Sequence, residues 1–204
     1  MSERGLVHVV DDDASFRTAI RRMLTAAGFE VRAFASGAEL LARASPDEHG
    51  CVLADLQLPE LSGLELQQEL GRAGVALPFV FLTGHGDVPS AVCAMRQGAV
   101  DFLDKCAPQD ALIAAIERAL QREAAERGAR ARQERLSRRF AVLTAREWEV
   151  LRQVVKGRMN KQISADLGIH ERTVKLHRTA ITTKLGVRSV AELTSLAREA
   201  GVLG

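Results

Sequence analysis

Short apolar segments alternate with segments of helical periodicity along the first half of the chain. The apolar segments are residues 6–10, 30–34, 51–55, 78–82 and 100–104. Between them, apolar residues recur every three or four positions, as at Phe16, Ile20 and Leu24. Apolar strands separated by helices are typical of a parallel sheet with helices on both faces. The pattern therefore predicts a (βα)5 domain of the α/β class.

Capping residues predict where several of these helices begin and end. Ser36 and Ser62 each precede a glutamate by three residues, which is the spacing of a capping box. Asp87 is expected to begin the fourth helix, while Gly28 and Gly98 are expected to end helices. These boundaries support five strands, each followed by a helix.

Reactive side chains follow the strands of this predicted sheet. Ligands bind outside the carboxyl ends of the strands in an open α/β sheet. The polar residues expected at that edge are Asp11, Asp12, Asp13, Asp55, Thr83 and Lys105. Oxygen ligands suit Mg²⁺, which keeps water molecules and leaves room for phosphoryl oxygens. A carboxylate beside such a metal can attack phosphorus and form an acyl phosphate.

The second half of the chain is helical in pattern and basic in composition. Residues 141–204 contain 11 Lys/Arg and 6 Asp/Glu, a net charge of +5, whereas residues 1–107 contain 9 and 15, a net charge of −6. This asymmetry indicates two domains with different partners, and a polyanion suits the second.

Two short helices near the end of the chain predict a helix-turn-helix. Thr144 begins a capping box ahead of them, Asn160 is expected to cap the first short helix, and Gly168 makes the turn. A basic helix over 171–184 follows. Two helices joined by a glycine turn are typical of DNA-binding domains. A four-helix bundle with a charged surface has the same pattern and stays open on the pattern alone.

A helical segment is predicted between the two halves. Residues 121–140 continue the helix that begins at Gln109, although Gly128 costs about 1 kcal/mol relative to alanine. We interpret the segment as a solvated helical linker, with a flexible linker or a short coiled coil as alternatives. The expected domains are therefore residues 1–120, 121–140 and 141–204.

Cysteine spacing and hydropathy indicate a cytoplasmic protein without membrane partners. Cys51, Cys93 and Cys106 are widely spaced and form no CxxC pair, so we expect reduced thiols rather than a disulfide or zinc framework. No apolar run approaches the roughly 20 residues of a membrane span. The first residues lack a signal-peptide pattern.

The strand-end residues in their sequence context resemble the receiver domains of two-component response regulators. The resemblance covers residues 5–120, implies the CheY-like flavodoxin fold, and is closest to the FixJ branch over Thr83–Pro89. It implies that a sensor histidine kinase phosphorylates Asp55. Lys105 matches the lysine of the family, but Cys106 stands where proline usually follows. We expect a trans peptide bond and a reshaped loop there, since a non-proline cis bond costs about 2.5–4 kcal/mol.

The resemblance also implies a metal site and a switch. The implied Mg²⁺ ligands are Asp11, Asp12, Asp55 and the backbone carbonyl of Gln57. Thr83 and Lys105 would assist the phosphotransfer, and Thr83 and Phe102 would form the switch. Gln57 and His85 occupy positions where the family tunes the lifetime of the acyl phosphate.

Residues 143–193 resemble the output domain of LuxR/NarL-type regulators. The resemblance rests on LTAREWEVL, GRMNKQI, TVKLH and KLGVRS, and it makes residues 171–184 the recognition helix. The residues implied to face bases are Lys175, Leu176 and Thr179. Those implied to contact phosphates or to position the domain are Asn160, Lys161, Thr173, Arg178, Lys184 and Arg188. His170 replaces the usual serine N-cap, so we expect a weaker cap.

Together these features predict a transcription regulator of the FixJ/NarL class. Phosphorylation would cause homodimerisation and binding to double-stranded promoter DNA, with RNA polymerase as a further candidate partner. We expect no turnover enzyme. One alternative is a metal-dependent phosphatase with Asp11 as nucleophile, because Asp11-x-Asp13 resembles the haloacid dehalogenase signature. The other is a pseudo-receiver that acts through protein contacts alone.

Overall fold

Five parallel strands form the sheet of the first half of the chain. The computed structural model describes residues 4–84 and 88–202. The strands are β1 (Leu6–Val10), β2 (Glu30–Phe34), β3 (Cys51–Asp55), β4 (Phe79–Thr83) and β5 (Asp101–Asp104). Their order is β2-β1-β3-β4-β5, and every neighbouring pair is parallel. The predicted α/β architecture is confirmed.

Helices follow every strand and continue through the second half. They are α1 (Ala14–Ala26), α2 (Gly37–Arg43), α3 (Gly63–Arg72), α4 (Val88–Arg96), α5 (Gln109–Phe140), α6 (Ala145–Val155), α7 (Asn160–Leu167), α8 (Glu171–Leu185) and α9 (Val190–Glu199). Contacts group the chain into two compact units, Met1–Arg127 and Gly128–Gly204. Across the described residues, no helix combines the length and the apolar character that crossing a membrane requires.

The predicted N-caps are confirmed at three helices and wrong at one. Ser62 and Thr144 form complete capping boxes, and Ser36 accepts a hydrogen bond from the Glu39 amide. Asn160 is the first residue of α7 rather than its cap, which is Met159, so that expectation was wrong. The expected cap at Asp87 lies outside the described residues.

Helices cover both faces of the sheet, and its three inner strands β1, β3 and β4 are buried throughout. Residues of α1 and α5, such as Leu24 and Ile116, pack with Val9 and Leu53 on one face. Residues of α2, α3 and α4 pack on the other, where Leu66 is fully buried. All five residues of β3 are buried, which explains its continuous apolar run.

The end of α5 belongs to the second unit. Leu136 and Phe140 are 4% and 3% exposed, and Phe140 lies in one core with Val150, Ile163 and Ile181. The helical form predicted for this segment is confirmed, but its last turns are not wholly solvated, because they bury Leu136 and Phe140. The sequence did not predict this burial, because Leu136 and Phe140 provide only one apolar residue per helical turn. A buried helix face normally shows a wider apolar stripe.

The helix-turn-helix consists of α7 and α8. Gly168 ends α7 with a φ of 63°, the left-handed conformation that glycine adopts most readily. His170 precedes α8 and makes no side-chain capping bond, as expected. Val174, Ile181 and Leu185 bury one side of α8 and leave its other side to solvent.

Candidate functional site

The chain topology brings two buried carboxylates together at the carboxyl edge of the sheet. The chain passes from β1 to β2 on one side and then to β3 on the other, which makes β1/β3 a topological switch point. Val10 and Ala54 are paired across these strands, so Asp11 and Asp55 follow them side by side. Asp11 is 1% exposed and Asp55 is 7% exposed.

Lys105 connects these two carboxylates. Its Nζ atom lies 2.7 Å from Asp11 Oδ2 and 2.7 Å from Asp55 Oδ2. Burial alone would lower the pKa of Lys105, but its hydrogen bonds to Asp11 and Asp55 outweigh this and raise the pKa. The ammonium group is therefore charged at neutral pH.

Asp12 completes a cluster of three carboxylates. One oxygen each from Asp11, Asp12 and Asp55 lies within 4.8 Å of the others, and Asp12 is exposed. Burial raises the pKa of Asp11 despite the opposing effect of Lys105. With three carboxylates ionised, Lys105 offsets only one of their charges. A hard divalent cation such as Mg²⁺ fits this donor set, because it prefers oxygen ligands and would offset the remaining charge.

Asp13 does not belong to the cluster, contrary to its expected place among the strand-end acids. Its carboxylate caps α1 and accepts hydrogen bonds from the Ser15 and Phe16 amides at 2.8 and 3.1 Å. These bonds lower the pKa of Asp13. The carboxylate is therefore used to begin the helix.

Two residues of α1 contact the site and were missed in the sequence. The Phe16 ring lies under Lys105, with the ring centroid 4.5 Å from Nζ. Arg17 Nη1 donates a hydrogen bond of 2.6 Å to the Asp11 carbonyl oxygen. The helical periodicity of the sequence predicts that Phe16 is buried. It does not indicate that its ring contacts Lys105, because that contact depends on the tertiary fold.

The structure describes three further residues of the predicted receiver site. Thr83 ends β4 at 1% exposure, and its carbonyl oxygen accepts a 2.8 Å hydrogen bond from the Lys105 amide. The Gln57 amide donates to Asp55 Oδ1 at 3.1 Å. Phe102 is partly buried on β5 and packs against the core. His85 lies outside the described residues.

Gly63 lies against the backbone of Asp55, and the turn at Cys106 follows Lys105. A Cβ atom at Gly63 would lie 2.5 Å from the Asp55 carbonyl oxygen, so this contact needs glycine. Cys106 is exposed, its peptide bond is trans as expected, and its amide donates to Asp104 Oδ1 at 2.7 Å. This turn positions Lys105 without the usual proline.

Helix α8 presents polar and apolar side chains to solvent on one side. Lys175 and Thr179 are exposed, and Leu176 is 64% exposed despite being apolar. Residues three and four positions apart share a helix face, so these three lie together. Lys161 and Arg188 are also exposed, while Thr173 is partly buried. The side chains implied to face bases therefore do form a solvent-facing group.

Three of the residues predicted to contact phosphates or to position the domain have side-chain partners within their own unit. Arg178 Nη1 donates a 2.9 Å hydrogen bond to Asn160 Oδ1, which connects α8 to α7. Lys184 Nζ lies 2.7 Å from Glu147 Oε2, and this bond, together with the Thr144 amide, lowers the pKa of Glu147. Lys184 is thus exposed but ion-paired within its own unit.

A parallel five-stranded sheet with a carboxylate–lysine cluster at its switch point, followed by a helix-turn-helix, defines a class of receiver-regulated DNA-binding proteins. Residues 7–117 match the family model for the response regulator receiver domain. Residues 141–197 match that for bacterial regulatory proteins of the luxR family. The chain belongs to the two-component response regulators with a LuxR-type DNA-binding domain.

Named relatives share this arrangement over nearly the whole chain. Nodulation protein W of Bradyrhizobium diazoefficiens is 40% identical over 98% of this chain and 88% of that protein. The transcriptional regulatory protein FixJ of Azorhizobium caulinodans is 40% identical over 99% of this chain and 96% of that protein. These relatives support assignment of the chain as a two-component transcriptional regulator.

Solved structures agree with the fold. The response regulator StyR is 46% identical, with a TM-score of 0.87 over 96% of this chain and 98% of that one. Full-length FixJ from B. japonicum is 35% identical, with a TM-score of 0.59 over 100% of both chains. The FixJ/NarL-class assignment made from the motifs is confirmed.

Proposed function

We propose that a sensor histidine kinase phosphorylates this regulator on Asp55. Two contacts support Asp55 as the phosphoacceptor. Asp55 belongs to the carboxylate cluster, and its Oδ2 atom lies 2.7 Å from Lys105 Nζ. A carboxylate oxygen of Asp55 forms the bond to phosphorus, and the bond from phosphorus to the donor nitrogen breaks. The product is an acyl phosphate on Asp55.

Lys105 and Thr83 assist this transfer. The Lys105 ammonium offsets negative charge on the phosphoryl oxygens, because it already contacts the carboxylate that receives the group. Thr83 ends the neighbouring strand, where its hydroxyl can donate to a phosphoryl oxygen. Asp11 keeps Lys105 in place, since the same Nζ atom contacts both carboxylates.

The carboxylate cluster would hold Mg²⁺. Its ligands would be Asp11, Asp12, Asp55 and the backbone carbonyl of Gln57. When bound, the ion supplies positive charge beside the phosphoryl oxygens. The charge imbalance of the cluster supports this assignment.

Phosphorylation then changes how the regulator assembles. Thr83 and Phe102 would move toward the phosphoryl group and rearrange the surface of α4 and β5. This surface includes Val92 and Met95, which are 44% and 48% exposed although apolar. An exposed apolar group of this kind favours a homodimer. The dimer would place two α8 helices on DNA half-sites.

DNA is read by the exposed side of α8. Lys175, Leu176 and Thr179 would contact base edges, with Leu176 suited to a thymine methyl group. Phosphate or positioning contacts would come from Asn160, Lys161, Thr173, Arg178, Lys184 and Arg188. Lys184 would have to leave Glu147 to do so, which makes it the weakest member of this set. RNA polymerase is a further candidate partner at the promoter.

Intact-mass measurement after incubation with acetyl phosphate and Mg²⁺ tests the phosphoacceptor. Wild type gains one phosphoryl group, Asp55→Asn gains none, and chelation of the metal slows the uptake. Continuous release of phosphate that survives Asp55→Asn and disappears in Asp11→Asn would instead support a phosphatase. DNA binding without any phosphoryl uptake would support the pseudo-receiver.

A further inference from the structure

A basic segment, residues 156–161, connects α6 to α7. It contains three Lys/Arg residues and no Asp/Glu. One of them, Arg158, is exposed, and its side chain has no hydrogen-bond or ion-pair partner within the part of the chain that the structure describes. Arg146 and Arg178 of the same unit are both engaged, with the Leu167 carbonyl oxygen and with Asn160 Oδ1. The charge of Arg158 is therefore available to a molecule outside the unit.

The backbone of this segment is held in place although its side chains are exposed. The amides of Gly157 and Arg158 donate hydrogen bonds of 2.9 and 3.1 Å to carbonyl oxygens of the last turn of α6. Gly157 has a φ of 79°, so the two bonds form the usual glycine-dependent end of a helix. The Met159 amide donates to Gln162 Oε1 at 2.9 Å, and the Met159 side chain is 67% exposed. Arg158 thus extends into solvent from a fixed backbone.

The segment lies beside the exposed side of α8. Asn160, two residues after Arg158, accepts the 2.9 Å hydrogen bond from Arg178 of α8. Arg178 comes three residues after Lys175, and residues at this spacing are neighbours on a helix surface. In helix-turn-helix proteins the second helix enters the major groove while the first crosses the phosphate backbone. The start of α7, with Arg158 next to it, is therefore expected at the backbone beside the groove that α8 occupies.

The charge of this surface suits DNA. Residues 156–161 and α8 together contain seven Lys/Arg and one Asp/Glu. Double-stranded DNA carries one negative charge per about 1.7 Å of its axis, so a row of cations finds a phosphate partner along its whole length. Arginine can bind a phosphate group through two parallel hydrogen bonds. An exposed arginine without an internal partner fits this role.

We propose that Arg158 contacts a phosphate group of the DNA, in addition to the phosphate-contacting residues of α7 and α8. The proposal rests on the proposed function in which α8 reads DNA. The contact fixes the start of α7 on the backbone and so helps to set the register of α8 in the groove. It carries no base preference of its own.

Salt-dependent DNA binding by the full chain tests the proposal. Fluorescence anisotropy is measured after incubation with acetyl phosphate, using a duplex that wild type has selected from a random-sequence pool and a scrambled duplex of the same composition. Arg158→Gln should reduce the slope of log affinity against log salt by about 0.9. It should weaken both duplexes equally, roughly eightfold at about 0.1 M salt. Arg158→Lys keeps the charge and should keep the slope.

Arg198→Gln is the matched control. Arg198 is also exposed, but it lies on α9 next to Glu199, which pairs with Arg132 of α5 at 2.7 Å. Its replacement removes the same charge and should leave the salt slope unchanged. Equal loss of slope in the two variants would overturn the proposal, because net charge alone would explain it. Weakening confined to the selected duplex would also overturn it, since that result indicates base readout.

Urea unfolding followed by Trp148 fluorescence shows whether Arg158→Gln is folded. We expect the wild-type midpoint, because an exposed side chain without a partner contributes little to stability. A loss of slope that comes with a lower midpoint would overturn the contact. Wild type that binds neither duplex would overturn the DNA-binding function of α8 itself. Wild type with a steep slope that Arg158→Gln shares in full would overturn the Arg158 contact alone.

Discussion

At the scale of single residues, Lys105 is the point on which the receiver site depends. Its Nζ atom contacts two carboxylates at 2.7 Å and lies 4.5 Å from the centre of the Phe16 ring. Its amide is held by Thr83. Lys105 is therefore positioned by residues of β3, β4 and α1 and by the residue that follows β1.

Phe16 is a positioning residue for Lys105, and its replacement should slow phosphorylation. A cation–π contact contributes about 0.5–2 kcal/mol, so Phe16→Leu should reduce the rate of uptake from acetyl phosphate roughly two- to thirtyfold. Phe16→Tyr keeps the ring and should restore most of the rate. Rates measured by intact mass that are equal in wild type and Phe16→Leu would contradict this role.

Glu147 should make the stability of the second unit depend on pH. Its pKa is lowered from 4.5, mainly by Lys184, so the stabilisation is present above that value and is lost as the pH falls through the lowered pKa. Glu147→Gln keeps the hydrogen-bond acceptor of the capping box but removes the charge. At pH 7 it should reduce the free energy of unfolding by about 1 kcal/mol.

The single tryptophan, Trp148, lies in the same core as Phe140 and reports unfolding of this unit by its fluorescence. Urea titrations should show the Glu147→Gln difference shrinking below pH 4.5. A difference that stays constant between pH 7 and pH 3 would show that the charge of Glu147 is not its cause.

At the scale of elements, helix α5 serves both units. Its first turns bury Leu112 and Ile116 against the sheet, and its last turn buries Phe140 in the second core. Arg139 Nε also donates a 2.9 Å hydrogen bond to the Leu185 carbonyl oxygen at the end of α8. The end of α5 thus contacts the proposed recognition helix through both apolar packing and a hydrogen bond.

Removal of the Phe140 ring should destabilise the second unit strongly. Phe140 is 3% exposed, and replacing a buried phenylalanine by alanine typically costs about 3–5 kcal/mol. Val142→Ala is the control because Val142 is 54% exposed and should cost less than about 0.5 kcal/mol. Urea unfolding followed by Trp148 fluorescence measures both. Similar small losses would mean that the end of α5 is a solvated linker after all.

The elements themselves were largely predictable from the sequence. Buried parallel strands are uniformly apolar, and capping residues such as Ser62 and Thr144 act locally, so both are visible in short windows. Contacts between residues that are far apart in the sequence could not be predicted from short windows. Phe16 meets Lys105, and Glu147 meets Lys184, only because the tertiary fold brings separate helices and strands together.

At the scale of the whole molecule, the chain combines an acidic receiver with a basic DNA-binding unit. The sequence predicted that Asp11 and Asp55 would lie close together, because Asp11 follows β1 and Asp55 ends the adjacent strand β3 at the switch point. The prediction was weaker for DNA contacts, because exposure of Lys175 or Arg188 does not specify whether a base, a phosphate or water is the partner. Those roles stay predictions.

The central claim is that a phosphoryl group on Asp55 controls assembly. Sedimentation velocity of wild type and Asp55→Asn, each with and without acetyl phosphate and Mg²⁺, tests it most directly. We expect wild type to change from monomer to dimer on phosphorylation and Asp55→Asn to stay monomeric throughout. Wild type that carries the phosphoryl group on Asp55 but still sediments as a monomer would contradict the account.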